Sequence, residues 1–116
     1  MSMIHFACKR IEMEEIVRCS FALSKTEYKI LSILMRSGKG LGVSEIAARL
    51  SLDRTGIQKS VKGLVRKKLA ERKKSDRASG GFSFLYSAKA PGEIRRRMKA
   101  SANSWVSGVF REIDGW

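Results

Sequence analysis

Residues 43–68, VSEIAARLSLDRTGIQKSVKGLVRKK, hold two short apolar stripes with a turn between them. Apolar residues recur at three- and four-residue steps in each half, which predicts one helix over 45–50 and a second over 54–68. Ser44 and Asp53 stand where a side-chain oxygen can cap the start of each helix. Only a tight turn fits between the two helices. The segment is therefore predicted to form a helix-turn-helix.

A basic β-hairpin is predicted directly after the second helix. Beyond Leu69 the sequence becomes polar and extended as far as Ser75, and a glycine-containing tip follows over 76–81. An aromatic-rich strand over 82–87 then completes the hairpin. In this order the second helix can enter the major groove of DNA, and the hairpin, or wing, can reach the flanking backbone or the minor groove.

Further helices are predicted on both sides of this segment. Ser24 and Glu27 have the spacing of a capping box, which predicts a helix over 25–36. Leu41 to Val43 is long enough for only one short strand. The fold class expected is mainly α with a small β-hairpin (α+β), a winged helix-turn-helix with an N-terminal helix and a long C-terminal dimerisation helix. We expect a single domain over 1–116, made of a first helix over 11–21, the helix-turn-helix and wing over 24–90, and a final helix over 91–114.

The charge balance favours a polyanionic partner. Lys and Arg number 24 against 11 Asp and Glu among 116 residues, a formal net charge of +13. Residues 51–90 alone contain 11 basic and 3 acidic side chains. A solvated, solubility-promoting surface is the alternative explanation of such a surplus.

Several function classes are not expected. The chain has no apolar run of membrane-spanning length, and its start, 1–9, has no basic leader with an apolar core, so we expect a cytoplasmic protein. One histidine, His5, and two cysteines without CxxC spacing predict no metal site and no cofactor. No phosphate-cradling GxxxxGK[ST] motif and no nucleophile with a placeable base are present, so no catalysis is expected.

The cysteines allow two interpretations. Cys8 and Cys19 are eleven residues apart. They would share one face if the first helix began early, which would permit a thiol redox switch. Ordinary buried, reduced cysteines are the other interpretation.

The residues that suit DNA contact lie on the second helix and on the wing. On the helix, five side chains project away from the apolar stripe: Arg54, Thr55, Gln58, Lys59 and Lys62. Arg54 and Gln58 can read guanine and adenine edges with two hydrogen bonds, whereas Lys59 and Lys62 suit phosphates. On the wing the cations are Arg72, Lys73, Lys74 and Arg77, and Arg77 at the tip can enter a narrow minor groove.

Two glycines, Gly56 and Gly63, fall inside the predicted second helix. Each should cost roughly 0.5 to 1 kcal/mol relative to alanine. Close approach of a backbone, from DNA or from a neighbouring helix, would explain them.

Three segments resemble the winged-helix regulators of the MarR and TrmB-like families: LSKTEYKILSILMRSG, VSEIAARLSLDRTGIQKSVKGLVRKKLAERK and SDRASGGF. The resemblance covers about residues 21–90. It implies a transcription regulator whose recognition helix corresponds to 54–67. It also implies that Asp76 and Arg77 form the Asp-Arg pair of many MarR-type wings, in which the aspartate orients the arginine.

The final helix is expected to join two copies of the chain. Its apolar positions recur along one stripe and are assigned to a dimer interface: Ile94, Met98, Trp105, Val109, Phe110 and Ile113. A two-fold symmetric dimer would bind a palindromic operator in double-stranded DNA. The sequence thus favours a homodimeric, sequence-specific DNA-binding transcriptional regulator. A winged-helix module that binds protein or RNA within a transcription or RNA-processing assembly is the alternative.

Overall fold

A computed structural model describes residues 3–116 as five helices and two antiparallel hairpins, an α+β arrangement that confirms the expected fold class. In chain order the elements are β1 (Met3–Phe6), β2 (Lys9–Glu12), α1 (Met13–Phe21), α2 (Lys25–Ser37), α3 (Val43–Leu50), α4 (Arg54–Arg66), β3 (Ala70–Asp76), β4 (Phe82–Ala88) and α5 (Pro91–Asp114).

The core gathers buried side chains from α2, α3, α4, α5 and both wing strands. Its largest fully buried members are Ile30, Leu34, Leu41, Ile46, Ile57, Val61, Leu64, Leu69 and Ile94. Each such side chain contributes about 1.5 to 3 kcal/mol by leaving water. The inner end of the wing is part of this core, because Tyr86 is buried and forms a β-bridge with Leu41.

The capping box predicted for α2 is present. The Ser24 hydroxyl accepts a hydrogen bond from the backbone N–H of Glu27 at 3.1 Å, and the Glu27 carboxylate accepts one from the backbone N–H of Ser24 at 2.9 Å. Two otherwise orphaned donors are thereby satisfied at the helix start. At the other end Gly38 takes the left-handed conformation (φ 67°) that stops the helix.

The N-terminal region differs from the expected helix over 11–21. The helix begins at Met13, and the residues before it form the hairpin β1–β2, paired from Met3 opposite Glu12 to Phe6 opposite Lys9. Glu12 is the extended N-cap, and Glu15 lies at the third helical position, where its carboxylate accepts from the Glu12 backbone N–H. This capping box fixes the boundary between strand and helix.

The helix-turn-helix is formed with two local corrections. α3 begins at Val43, with the extended backbone of Gly42 in the N-cap position in place of Ser44. The strand expected over 41–43 is therefore reduced to the single bridge at Leu41. α4 ends at Arg66, two residues earlier than expected, because Lys68 adopts a left-handed conformation (φ 60°) that turns the chain into β3.

α5 extends well beyond the rest of the molecule. Twenty-four helical residues span about 36 Å at 1.5 Å per residue. The molecule measures 65 × 23 × 22 Å as a result. Only the first turns of α5 pack on the core, so its second half is a projecting arm.

Candidate nucleic-acid interface

The outer face of α4 is polar and uncovered. Ile57, Val61 and Leu64 are fully buried on one side of the helix. The five residues predicted to contact DNA are all exposed on the other side: Arg54, Thr55, Gln58, Lys59 and Lys62. At the helix start the Asp53 carboxylate accepts a hydrogen bond from the backbone N–H of Thr55 at 3.1 Å, which confirms the predicted N-cap.

The charge at the start of α4 sets this helix apart. The first turns of α1, α2, α3 and α5 all include at least one glutamate, whereas α4 has no acidic residue in its first turn. Glutamate stabilises a helix start because the macrodipole is positive there. In α4 the third helical position is Gly56 and the first is Arg54, and the capping carboxylate of Asp53 lies just before the helix. The exposed cations on this face of α4 suit an anion such as a phosphate.

The far end of α4 is fixed to α1 and α2 by Lys67. Its ammonium group donates to the carbonyl of Ala22 at 2.7 Å and to the Glu27 carboxylate at 3.1 Å. Burial by itself would raise the pKa of Glu27. The hydrogen bond from the Ser24 backbone and the Lys67 ammonium outweigh burial and hold the pKa below its usual value. Gly63 makes room for this pair, because a Cβ there would collide with the Glu27 carboxylate.

Arg97 joins α5 to the same end of α4. Its guanidinium donates to the carbonyl of Lys68 at 2.9 Å and to that of Lys67 at 3.0 Å. The group also lies over the Phe21 ring, 4.9 Å from its centroid. A cation on these carbonyls complements the negative end of the helix macrodipole. Sequence reasoning missed Arg97, because thirty residues separate it from the carbonyls that it binds.

The wing cations lie on both faces of the hairpin and at its tip. β3 and β4 pair from Ala70 opposite Ala88 to Asp76 opposite Phe82. Arg72 and Lys74 therefore lie on one face of the hairpin and Lys73 on the other. Arg77 lies in the tip, where its backbone exchanges hydrogen bonds with Gly80 and Gly81. All four predicted wing cations are exposed, the arrangement that phosphate contact requires.

The wing carboxylates behave differently from one another. Lys89 donates to Glu71 at 2.7 Å, and this hydrogen bond holds the pKa of Glu71 below its usual value. Over residues 3–116 the ion pairs within 4.0 Å include none between Asp76 and Arg77. The orienting contact that the family resemblance implies is therefore not made in the free protein. Arg77 is exposed at the tip and makes no ion pair with Asp76.

The residues assigned to a dimer interface divide into two groups. Ile94 is 1 % exposed and belongs to the core of its own domain, so its assignment to the interface is wrong. Met98 packs against the same core. Further along α5, Val109 is half-buried, whereas Trp105 (68 % exposed), Phe110 and Ile113 are uncovered. The apolar spacing of α5 is continuous along the sequence, but the core covers its first turns and only its second half faces outward.

The structure contradicts the shared helical face and the burial expected of the cysteines. Cys8 lies in the turn between β1 and β2 and Cys19 lies in α1, so they share no helical face. Both are exposed free thiols and neither is buried. In the described part of the chain no group of three or more His, Cys, Asp or Glu side chains is placed to hold a metal ion. Among the helices of residues 3–116, none is long and apolar enough to cross a membrane.

A helix-turn-helix with an uncovered cationic second helix, followed by a basic hairpin, defines the winged helix-turn-helix class of protein. Residues 23–79, from the start of α2 to the wing tip, match the family model described as MarR family. The chain is thus a winged helix-turn-helix protein that resembles the MarR family of transcriptional regulators. Its resemblance to the TrmB-like family stays a prediction.

Two solved structures and one relative are similar to this chain over most of its length. A possible transcriptional regulator from Methanosarcina mazei Go1 is 25 % identical with a TM-score of 0.86, covering 99 % of this chain and 97 % of that one. The ST1889 protein from Sulfolobus tokodaii shares the fold at 20 % identity and a TM-score of 0.70, covering 83 % and 93 % of the two chains. The uncharacterised protein MJ1082 of Methanocaldococcus jannaschii is 28 % identical over 87 % of this chain and 82 % of its own. The family match and the Methanosarcina mazei structure support a DNA-binding regulator, whereas the likeness to ST1889 shows the fold alone.

Proposed function

We propose that the protein is a cytoplasmic, sequence-specific regulator of transcription that binds double-stranded DNA as a homodimer. α4 lies in the major groove, and the wing reaches the minor groove or the backbone. The observation that carries this proposal is the start of α4, which exposes Arg54, Thr55 and Gln58 and has no acidic residue in its first turn. The exposed Arg54, Lys59 and Lys62 of this helix favour contact with a polyanion.

The roles of the side chains follow from their chemistry. Arg54 and Gln58 read base edges, whereas Lys59 and Lys62 bind phosphates and set the register of the protein on the duplex. Gly56 supports this docking, because it is exposed and a Cβ there would meet nothing within 4 Å in the free protein. The open position lets the helix backbone approach the groove closely.

The homodimer is proposed from the second half of α5. Trp105, Phe110 and Ile113 are large, apolar and uncovered along one stripe of a projecting helix. Pairing these stripes about a two-fold axis would bury them and hold two recognition helices about one duplex turn, roughly 34 Å, apart. A palindromic operator follows from this symmetry.

The test is a salt-titrated binding assay with the DNA upstream of the protein's own gene and a scrambled duplex of equal length. We expect the upstream DNA to be preferred by about a thousandfold. Equal, steeply salt-dependent binding would contradict sequence-specific recognition of that DNA. Binding to RNA without binding to duplex DNA would replace the proposal with the RNA-interaction alternative.

Three variants assign the roles on α4. Arg54→Ala and Gln58→Ala should reduce the preference for the upstream DNA, because they remove contacts to base edges. Lys59→Ala should weaken binding to both duplexes alike and lower the slope of log K against log salt by roughly one contact. Unchanged binding by all three variants would refute the assignment of α4 as the recognition helix.

A further inference from the structure

One face of the wing carries two aromatic rings interleaved with two cations. The Arg72 guanidinium carbon lies 4.2 Å from the centroid of the Phe84 ring, and the Lys74 ammonium lies 4.0 Å from that of Phe82. The two rings meet edge to face, with centroids 5.5 Å apart at 73°. These four residues, Arg72, Lys74, Phe82 and Phe84, are called here the wing ladder.

Phe82 is the unexpected member of the ladder. Phe84 packs against the hydrophobic core, which accounts for an aromatic residue at that position. Phe82 lies outside the core cluster and is 50 % exposed at the outer end of β4, directly after the tip glycines Gly80 and Gly81. The contacts with Lys74 and Phe84 leave about half of Phe82 open to a partner.

The surroundings of Phe82 indicate the kind of partner. Arg72 and Lys74 share its face, and Asp76 is the one carboxylate on this face of β3 and β4. The edge-to-face contact with Phe84 restricts the ring, so less side-chain freedom remains to be lost on binding. An ordered apolar ring flanked by cations suits the minor groove, where apolar side chains enter between base steps while cations bind the phosphates on either side.

We propose that the wing ladder is a DNA-deforming surface, in which Phe82 wedges into a base step of the minor groove beside Arg77. On binding, Arg72 and Lys74 leave the Phe84 and Phe82 rings and contact the flanking phosphates. This inference rests on the proposed binding of duplex DNA and adds a sequence preference that needs no hydrogen bond to a base. Flexible pyrimidine–purine steps are easier to open than the stiff steps of an A-tract, so DNA rich in such steps is preferred under the wing.

The experiment uses the full chain and two end-labelled duplexes of about 25 base pairs with equal A·T content, one with alternating TA steps and one with an A-tract. Energy transfer between the two ends reports bending, and titration reports affinity. We expect the wild-type protein to bend the alternating duplex by at least about 20° and to bind it more tightly than the A-tract.

Two variants test the wedge directly. Phe82→Ala should lose most of the bend and most of the preference between the duplexes, and should bind the alternating duplex about tenfold more weakly. Phe82→Leu keeps an apolar side chain and should bend DNA to an intermediate angle. Ser83→Ala, on the opposite face of the same strand, is the matched control and should behave as the wild type. Circular dichroism of each variant checks that the domain stays folded.

The outcomes separate the wedge from the proposed function. Duplex binding without a bend, or a Phe82→Ala complex bent as strongly as the wild type, would overturn the wedge and leave the DNA-binding proposal standing. Failure of the wild type to bind either duplex under conditions in which it binds its upstream DNA would overturn the wedge alone, and failure to bind the upstream DNA as well would overturn both. A loss of affinity in Phe82→Ala for single-stranded DNA alone would overturn the wedge in favour of base stacking on the ring.

Discussion

The carboxylate of Glu27 connects the start of α2 with the end of α4. It accepts from the backbone N–H of Ser24 and from the ammonium of Lys67, while Lys67 also binds the carbonyl of Ala22 at the end of α1. The carboxylate is 8 % exposed, so its charge depends on these partners. The end of α1, the start of α2 and the end of α4 are therefore joined at this point.

Replacing Glu27 should change the response of stability to pH. The folded-state pKa of Glu27 lies below the ordinary value of 4.5. Its ionisation therefore favours the folded state above that value, and this contribution is lost as the pH falls through the lowered pKa. At neutral pH we expect Glu27→Gln to lower the free energy of unfolding by about 1 to 3 kcal/mol. Urea denaturation should show the difference from wild type shrinking as the pH is lowered below 4.5.

Glu45→Gln is the matched control for Glu27→Gln. Glu45 pairs with Arg49 one turn away at an exposed position, at 3.6 Å. Its replacement should cost less than about 1 kcal/mol. An effect of Glu27→Gln that is equally large at neutral and acidic pH would contradict the role of the ionised carboxylate.

The two glycines of α4 should respond to alanine with opposite signs. At Gly63 a Cβ collides with the held Glu27 carboxylate, so Gly63→Ala should destabilise the fold by about 1 to 3 kcal/mol. At Gly56 the space is open, so Gly56→Ala should stabilise it by about 0.5 to 1 kcal/mol through helix propensity. Urea denaturation of both variants measures the two changes. Shifts of the same sign would refute this distinction.

Between elements, Arg97 is the side chain that ties the projecting helix to the recognition helix. Arg97→Ala removes two charge-assisted hydrogen bonds to the carbonyls of Lys67 and Lys68, just past the end of α4, and should lower the free energy of unfolding by about 1.5 to 3 kcal/mol. Arg96→Ala, one residue earlier and exposed, should change it by less than about 0.5 kcal/mol. Chemical denaturation compares the two variants, and equal effects would show that the bridge contributes nothing.

Elements with local start signals could be predicted from the sequence. The caps at Ser24 and Asp53 each involve a partner two or three residues away, so the residue types alone indicate them. The wing could be predicted because a glycine-containing tip separates a polar segment from an aromatic one. These signals were enough to order the helix-turn-helix and the hairpin correctly.

The features that sequence reasoning missed depend on contacts between residues distant in sequence or on pairing between solvent-exposed strands. Lys67 and Glu27 are forty residues apart, and no local pattern joins them. The strands β1 and β2 bury no residue, so they show no alternation of apolar and polar positions from which to predict them. Ile94 continues the apolar spacing of α5, and only the packed structure shows that the core already covers it.

The molecule as a whole has two ends with different properties. One end is a packed domain with a basic surface, and the other is the second half of α5 with its apolar stripe uncovered. Contiguous exposed apolar patches on a small protein mark interaction sites. The proposed dimer therefore forms at the end away from the core.

Substitution in the stripe should separate the two protomers. Trp105→Glu would bury an unpaired charge in the proposed seam, at a cost of several kcal/mol, and light scattering should report a monomer. Ser104→Glu is the control, because Ser104 is exposed and lies about 100° or more around the helix from Trp105, Phe110 and Ile113, so it should leave the dimer intact. A wild-type monomer, or a dimer that survives Trp105→Glu, would refute the proposed interface.

The position of the tryptophans also determines what a spectroscopist would observe. Both indoles of the chain, at 105 and 116, lie at the uncovered end of α5, and the hydrophobic core contains neither. Their emission wavelength therefore reports the surroundings of the second half of α5 and should change little when the domain unfolds. A red shift on dilution would mark separation of protomers, whereas loss of the domain itself has to be followed through helical ellipticity. The fluorescence transition and the ellipticity transition should not coincide. The difference between their midpoints would measure how far dimer assembly is coupled to folding.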